Sequence, residues 1–181
     1  MAQTDNSYLS DKVALRVKHL PGGDQIRVLD CYAGDGKVWA AVQKLSGKKI
    51  SRLPIDIRDD IGFSLIGDNL IYLESMNLNK FDIIDLDAYG VPVDQLEIIF
   101  RRKYSGAVFV TFIQSLYGQM PKSLLNKIGF TEAMIEKCPT IFNKRGWAYF
   151  KEYLALRGVD KIYHRSHARK HYIAFSCAAV S

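Results

Sequence analysis

The sequence predicts an α/β domain: one doubly wound, mostly parallel sheet that closes with an antiparallel C-terminal hairpin. Three observations carry this. Val28 to Lys37 is an apolar run that ends in an acid, turns on glycines and leads into a helical pattern from Val38 to Leu45. Such a strand, turn and helix is where open α/β sheets bind ligands. Strand-like and helix-like segments then alternate as far as Phe112, which requires a parallel sheet with helices on both faces. Finally, Lys161–His167 and His171–Ala178 read as two strands close enough to pair directly.

The elements follow in order. Residues 1–9 look loose. Ser10 to Leu20 is an amphipathic helix, with Val13, Leu15, Val17 and Leu20 apolar and Lys12, Arg16 and Lys18 polar. Ser10 or Asp11 caps it, and Pro21-Gly22-Gly23 ends it. Next come a strand at Ile26–Cys31, a helix at Lys37–Leu45, a strand at Ile50–Ile57, a short strand at Ser64–Ile66 and a short helix near Leu70–Met76. A strand at Phe81–Leu86, a helix at Val93–Lys103 and a strand at Ala107–Phe112 complete the alternation. Pro121 opens a helix at Lys122–Ile128, short helical pieces run from Thr131 to Lys137, and Gly146–Arg157 is a helix before the hairpin. The chain is expected to form one domain over 1–181, with a tail and helix at 1–20 and the sheet at 24–181.

The turn after the first strand, Asp30-Cys31-Tyr32-Ala33-Gly34-Asp35-Gly36, selects its ligand. Gly34 and Gly36 leave the main chain open to close approach. A dinucleotide site would want a third glycine where Trp39 stands, and a P-loop would want a glycine at Cys31 and a hydroxyl at Val38. Asp30 and Asp35 would also repel a pyrophosphate. A ligand that is cationic, or rich in hydroxyls and amines, fits better. S-adenosylmethionine, with its sulfonium, ammonium and ribose diol, has that character.

At this point the chain resembles the class I S-adenosylmethionine-dependent methyltransferases, whose first motif takes the form D-x-F-A-G-x-G in many enzymes acting on DNA or RNA. The resemblance implies that Asp30, Tyr32, Gly34 and Gly36 meet the cofactor. About twenty residues on, Asp56 ends the second strand, where a carboxylate can accept two hydrogen bonds from a ribose diol; Asp59 and Asp60 lie past that strand end. Gly67-Asp68 matches the third motif, whose acid meets the adenine amino group, although Asp68 is also placed to cap the following helix. Class I enzymes also end their seven-stranded sheet with an antiparallel pair.

The fourth motif of the family sits beside the methyl donor. Here Asp85-Leu86-Asp87-Ala88-Tyr89-Gly90-Val91-Pro92 stands at that place. Over Asp87 to Pro92 it resembles the D-P-F-G-x-P of the tRNA guanine-N2 dimethyltransferases, with Ala88 in place of the proline that would stiffen the loop. The expected catalytic residues are Asp87, accepting the N–H of an exocyclic amine and taking its proton, and Tyr89, stacking on a flat substrate or packing within its loop. Asp85 is the second acid, expected to point toward the cofactor or to cap a backbone group. The acceptor pocket would draw on Gln114 to Phe142, beginning with Ser115, Tyr117, Gln119 and Met120.

Charge and cysteine usage bound the partners. The formal net charge is +6 over 181 residues, 48% of them hydrophobic, which fits a polyanion without requiring one. Lys161 to His171 is the densest basic stretch, with Tyr163 and Tyr172 interleaved, and reads as a phosphate grip or a solvated hairpin tip. His164 and His167 fall on opposite faces of a strand, and no acid or cysteine joins them at ligand spacing, so no metal is expected. Three scattered cysteines argue for a reducing compartment. A polar start and the lack of a long apolar run suggest a cytoplasmic protein. The expected activity is therefore methyl transfer to a nucleobase amine, with RNA favoured over DNA. A small-molecule or protein methyltransferase and a non-catalytic module of the same fold are the alternatives.

Overall fold

The computed structural model describes residues 8–60, 62, 65–114 and 120–177. Ser64 and the pocket candidates Ser115, Tyr117 and Gln119 lie outside those residues. Seven strands form one sheet: β1 (Gln25–Asp30), β2 (Lys49–Asp56), β3 (Leu65–Ile66), β4 (Ile83–Leu86), β5 (Ala107–Ile113), β6 (Tyr163–His167) and β7 (Lys170–Ser176). Their order is β3-β2-β1-β4-β5-β7-β6. The first five in this order run parallel, and β7 is antiparallel to both β5 and β6. The winding reverses between β1 and β4, where Asp30 and Asp85 stand side by side.

Period-two alternation sends the strands' apolar residues to two cores. Ile26, Val28, Ile83, Phe109 and Ala174 pack with residues of α1 (Leu9–Lys18) and α2 (Lys37–Ser46). Leu29, Ile84, Leu86, Val108 and Ile173 belong to the larger core on the other face. That core takes in α3 (Asn69–Ser75), α4 (Val93–Arg101), α5 (Lys122–Ile128), α6 (Glu132–Lys137) and α7 (Ile141–Leu156).

Two elements depart from expectation. Helix α1 starts from Tyr8, a left-handed residue without a side-chain cap, rather than from Ser10 or Asp11. Its Lys12 and Arg16, polar residues of the amphipathic pattern, are 2% and 1% exposed, because acids on the sheet face receive them. Helix α7 begins five residues before Gly146 and carries non-helical dihedrals at Arg145. The Gln114 amide donates to the Phe142 and Asn143 carbonyls at this kink. A side chain inserted into the helical ladder is a known cause of such a bend.

Candidate active site

The turn between β1 and α2 is closed by its own hydrogen bonds. Gly34 and Gly36 have φ of 51° and 72°, left-handed values that glycine adopts without strain. The Gly34 N–H donates to Asp56 Oδ2 at 2.9 Å. Those of Gly36, Ala33 and Cys31 donate to the carbonyls of Ala33, Ile55 and Asp85, and that of Lys37 to Asp35 Oδ1 at 3.2 Å. The first N–H of α2, that of Lys37, is thus already engaged. Ion pairing corrects the repulsion argument from the sequence. Asp30 is paired with Arg52 at 3.2 Å and Asp35 with Lys37 at 2.5 Å, so neither is an uncompensated charge. Gly36 is needed for a different neighbour: a Cβ there would lie 2.6 Å from the Arg52 guanidinium.

Beneath the turn lies a buried charge cluster. Arg16 grips Asp85 with two bonds, Nε to Oδ2 at 2.9 Å and Nη2 to Oδ1 at 2.7 Å. Trp39 Nε1 also donates to Asp85 Oδ2, at 2.7 Å. Asp30 is 3% exposed. Burial, and then the neighbouring Asp85 charge, push its carboxyl up to about 7. The residual space among the turn, Asp30 and Asp85 is only about 20 Å³.

The open space lies next to it. A cavity of about 720 Å³ runs along the carboxyl ends of the strands. The sheet order sets the order of its wall: Asp56 at the end of β2, Tyr32 and Gly34 after β1, Asp87 after β4, Thr111 and Ile113 on β5, and Lys170 on β7. The loops Ile57–Asp60 and Ala88–Pro92 and the side chain of Lys12 complete it. Asp56 is held by the Gly34 and Arg58 amides, which outweigh partial burial and keep its carboxyl below the usual range. Asp87 accepts from Lys12 Nζ at 2.8 Å and from the Thr111 hydroxyl. Burial opposes its charge, but Arg16 and Lys12 prevail, and its pKa is lowered. Tyr89 is 76% exposed at the rim, so it is not a packed loop aromatic.

Of the residues singled out from the sequence, the cavity gathers Tyr32, Gly34, Asp56, Asp87 and Tyr89. Asp30 and Asp85 instead lie beneath it as ion pairs, Gly36 faces Arg52, and Asp68 caps α3 by accepting from the Leu70 N–H at 2.9 Å. Sequence reasoning missed Lys12, Arg16, Arg52 and Thr111, whereas Lys170 lay within the basic stretch it read as a phosphate grip or a solvated hairpin tip. A signal for the first two existed. Lys12 and Arg16 are one helical turn apart, roughly 6 Å along the axis, and Asp85 and Asp87 share one strand face at roughly 6.6 Å. The two pairs match rung for rung when helix and strand run antiparallel. The basic hairpin resolves into two faces, with His164 against Trp147 and His167 at 2.8 Å from Asp11.

No family model and no curated protein sequence matches this chain. Solved structures do. One is a protein of Bordetella parapertussis described as a possible exported protein, with TM-score 0.60, 12% identity, and 97% of this chain and 69% of that chain covered. A second is an S-adenosylmethionine-dependent methyltransferase of Archaeoglobus fulgidus, with TM-score 0.54, 16% identity and coverages of 91% and 92%. A third is a precorrin-6y C5,15-methyltransferase of Geobacter metallireducens, with TM-score 0.50, 13% identity and coverages of 92% and 87%. The likeness at these identities is one of fold: the chain has the α/β architecture found in class I methyltransferases.

Proposed function

We propose that this protein is an S-adenosylmethionine-dependent methyltransferase acting on an exocyclic amine of a nucleobase, in RNA rather than DNA. The observation that carries the reading is the single cavity along the carboxyl edge, which Asp56 and the glycine turn share with an ionised Asp87 and an exposed Tyr89. The donor set suits the cofactor. Arg58 takes both lone pairs of Asp56 Oδ1 and Gly34 one of Oδ2, which leaves one for a ribose hydroxyl, and Tyr32 and Gly34 border the space beside it. S-adenosylmethionine supplies a methyl carbon activated by positive sulfur. The protein's task is then alignment, which can contribute several kcal/mol, on the order of 7 in well-oriented systems.

Asp87 accepts the N–H of the acceptor amine, concentrates electron density on nitrogen, and takes the proton as the methyl group arrives. Lys12 and Thr111 each occupy one lone pair of its two oxygens, leaving capacity for the amine. Tyr89 stacks on the base. The narrower likeness to tRNA guanine-N2 dimethyltransferases rests on Asp87 to Pro92 alone. The free cysteines Cys31, Cys138 and Cys177 fit a reducing, cytoplasmic setting. Among the described residues no helix is long and apolar enough to cross a membrane.

Two measurements test the reading. S-adenosylmethionine should raise the melting temperature with concentration, by the equivalent of about 2.7 kcal/mol at a hundredfold excess over Kd. With radiolabelled methyl donor and unmodified RNA, Asp87→Asn should lose about 10²-fold or more in transfer while binding the cofactor as before. No thermal shift at saturating cofactor would overturn the assignment. Cofactor binding without transfer to any acceptor would favour a non-catalytic module.

A further inference from the structure

We infer that the β7 end of the cavity is a phosphate subsite for the acceptor, formed by Lys170 and Lys12 about the ring of Tyr172. The inference rests on the methyltransferase reading for the direction in which the cofactor lies. Register puts the components on one sheet face: Thr111 pairs with Tyr172, and Ile113 with Lys170. Lys12 reaches the same place from α1. The two ammonium groups lie 5.5 and 5.7 Å from the centroid of the Tyr172 ring. Both side chains line the cavity, yet Lys12 and Lys170 are only 2% and 8% exposed.

Burying ammonium groups is costly, and two in one wall repel each other in a medium less screening than water. Asp87 answers Lys12 at 2.8 Å. Lys12 and Lys170 both line the cavity wall, so an anion entering at this end meets two positive charges. Charge is also sorted along the cavity. Asp56, Asp59 and Asp60 outnumber Arg58, which is paired with Asp56, at the β2 end, and the two lysines stand at the β7 side. Four interstrand steps separate β2 from β7, roughly 19 Å. A phosphate is repelled from the acidic end and drawn to the lysines. With the target base at Asp87 and Tyr89, the flanking phosphate of a single strand then falls toward Lys170.

The test uses the full chain saturated with S-adenosylhomocysteine and a fluorescent single-stranded RNA hexamer, beside a methylphosphonate hexamer of the same sequence. Wild type should bind the phosphodiester at least tenfold more tightly than the uncharged analogue. Lys170→Met should lose about tenfold on the phosphodiester and nothing on the analogue, and Lys170→Arg should restore most of the loss. Equal affinity of wild type for both hexamers would overturn the subsite without any variant. So would a folded Lys170→Met protein that binds the phosphodiester as wild type does, or competition by polyglutamate as strong as by RNA. Binding of S-adenosylhomocysteine, measured separately by calorimetry, bears on the methyltransferase reading. If it fails while phosphate discrimination still depends on Lys170, the subsite stands and that reading falls.

Discussion

Asp85 takes three hydrogen bonds from two side chains in a place 1% exposed to solvent, so the loss of a partner is felt as an orphaned charge. Arg16→Met should destabilise the protein by about 3–5 kcal/mol, the usual cost of breaking a buried pair. The double change Arg16→Met with Asp85→Leu should recover much of it, and urea denaturation of the three proteins checks this. His171 gives a pH signature. It stacks on Trp147 at 4.7 Å, and burial brings its pKa down to about 4 from 6.5. Between those values the unfolded chain binds a proton that the folded chain refuses, so this contribution to stability is lost as pH falls from 6.5 toward 4. Asp30, raised to about 7, runs the other way: its contribution is full at low pH and is lost as pH rises through 7. His171→Phe should therefore lose less stability than wild type between pH 6.5 and 4.5, read as the shift in urea midpoint. At this scale Asp87 was legible because it closes an apolar strand. Lys12 and Arg16 were legible only jointly with Asp87 and Asp85, whose spacing theirs matches, because those acids lie 75 and 69 residues away and a helix pattern taken alone assigns cations to water.

Elements were legible where one period dominates. The β1, α2, β2, α4 and β5 segments fall within two residues of their sequence-based limits, since apolar runs and glycine turns bound them. Helix α7 was read only from Gly146 onward, because its first turn depends on a tertiary contact with Gln114 that no local pattern records. A Cβ at Gly146 would lie 2.8 Å from Phe142 Cε1 and 3.0 Å from the Gln114 side chain. Gly146→Ala should gain about 1 kcal/mol of helix propensity and lose about 1–3 kcal/mol to overpacking, because Phe142 is itself confined at 6.0 Å from Phe112. The expected net result is a loss of about 1 kcal/mol in chemical denaturation. A stabilised variant would mean that Phe142 can swing aside and that the kink is held by the Gln114 bonds alone.

Strand order is a property of the whole molecule, and it turns a one-dimensional series of strand ends into a cavity whose wall runs from acid to base. The alternation of elements foretold a parallel sheet. It did not foretell that α1 would dock a charged face on β4, which is why the floor of the site came as a correction. The sheet also manages its edges: β3 is two residues long, and β6 is largely exposed and carries His164, Arg165 and His167. Arg165 pairs with Tyr172 in register, so it extends the cationic side of the cavity onto the surface. A net charge of +6 distributed in this way predicts how binding depends on salt. A single strand that meets Lys170, Arg165 and one or two further cations should release counterions with a slope of roughly −2 to −3 in log K against log salt, at about 0.7 per phosphate. Fluorescence anisotropy between 50 and 300 mM salt measures it. Substituting Arg165→Gln should reduce the slope by about 0.7 and leave cofactor binding unchanged. A slope near zero would mean that the acceptor brings no phosphates, and the small-molecule alternative would then account better for a cavity of this size.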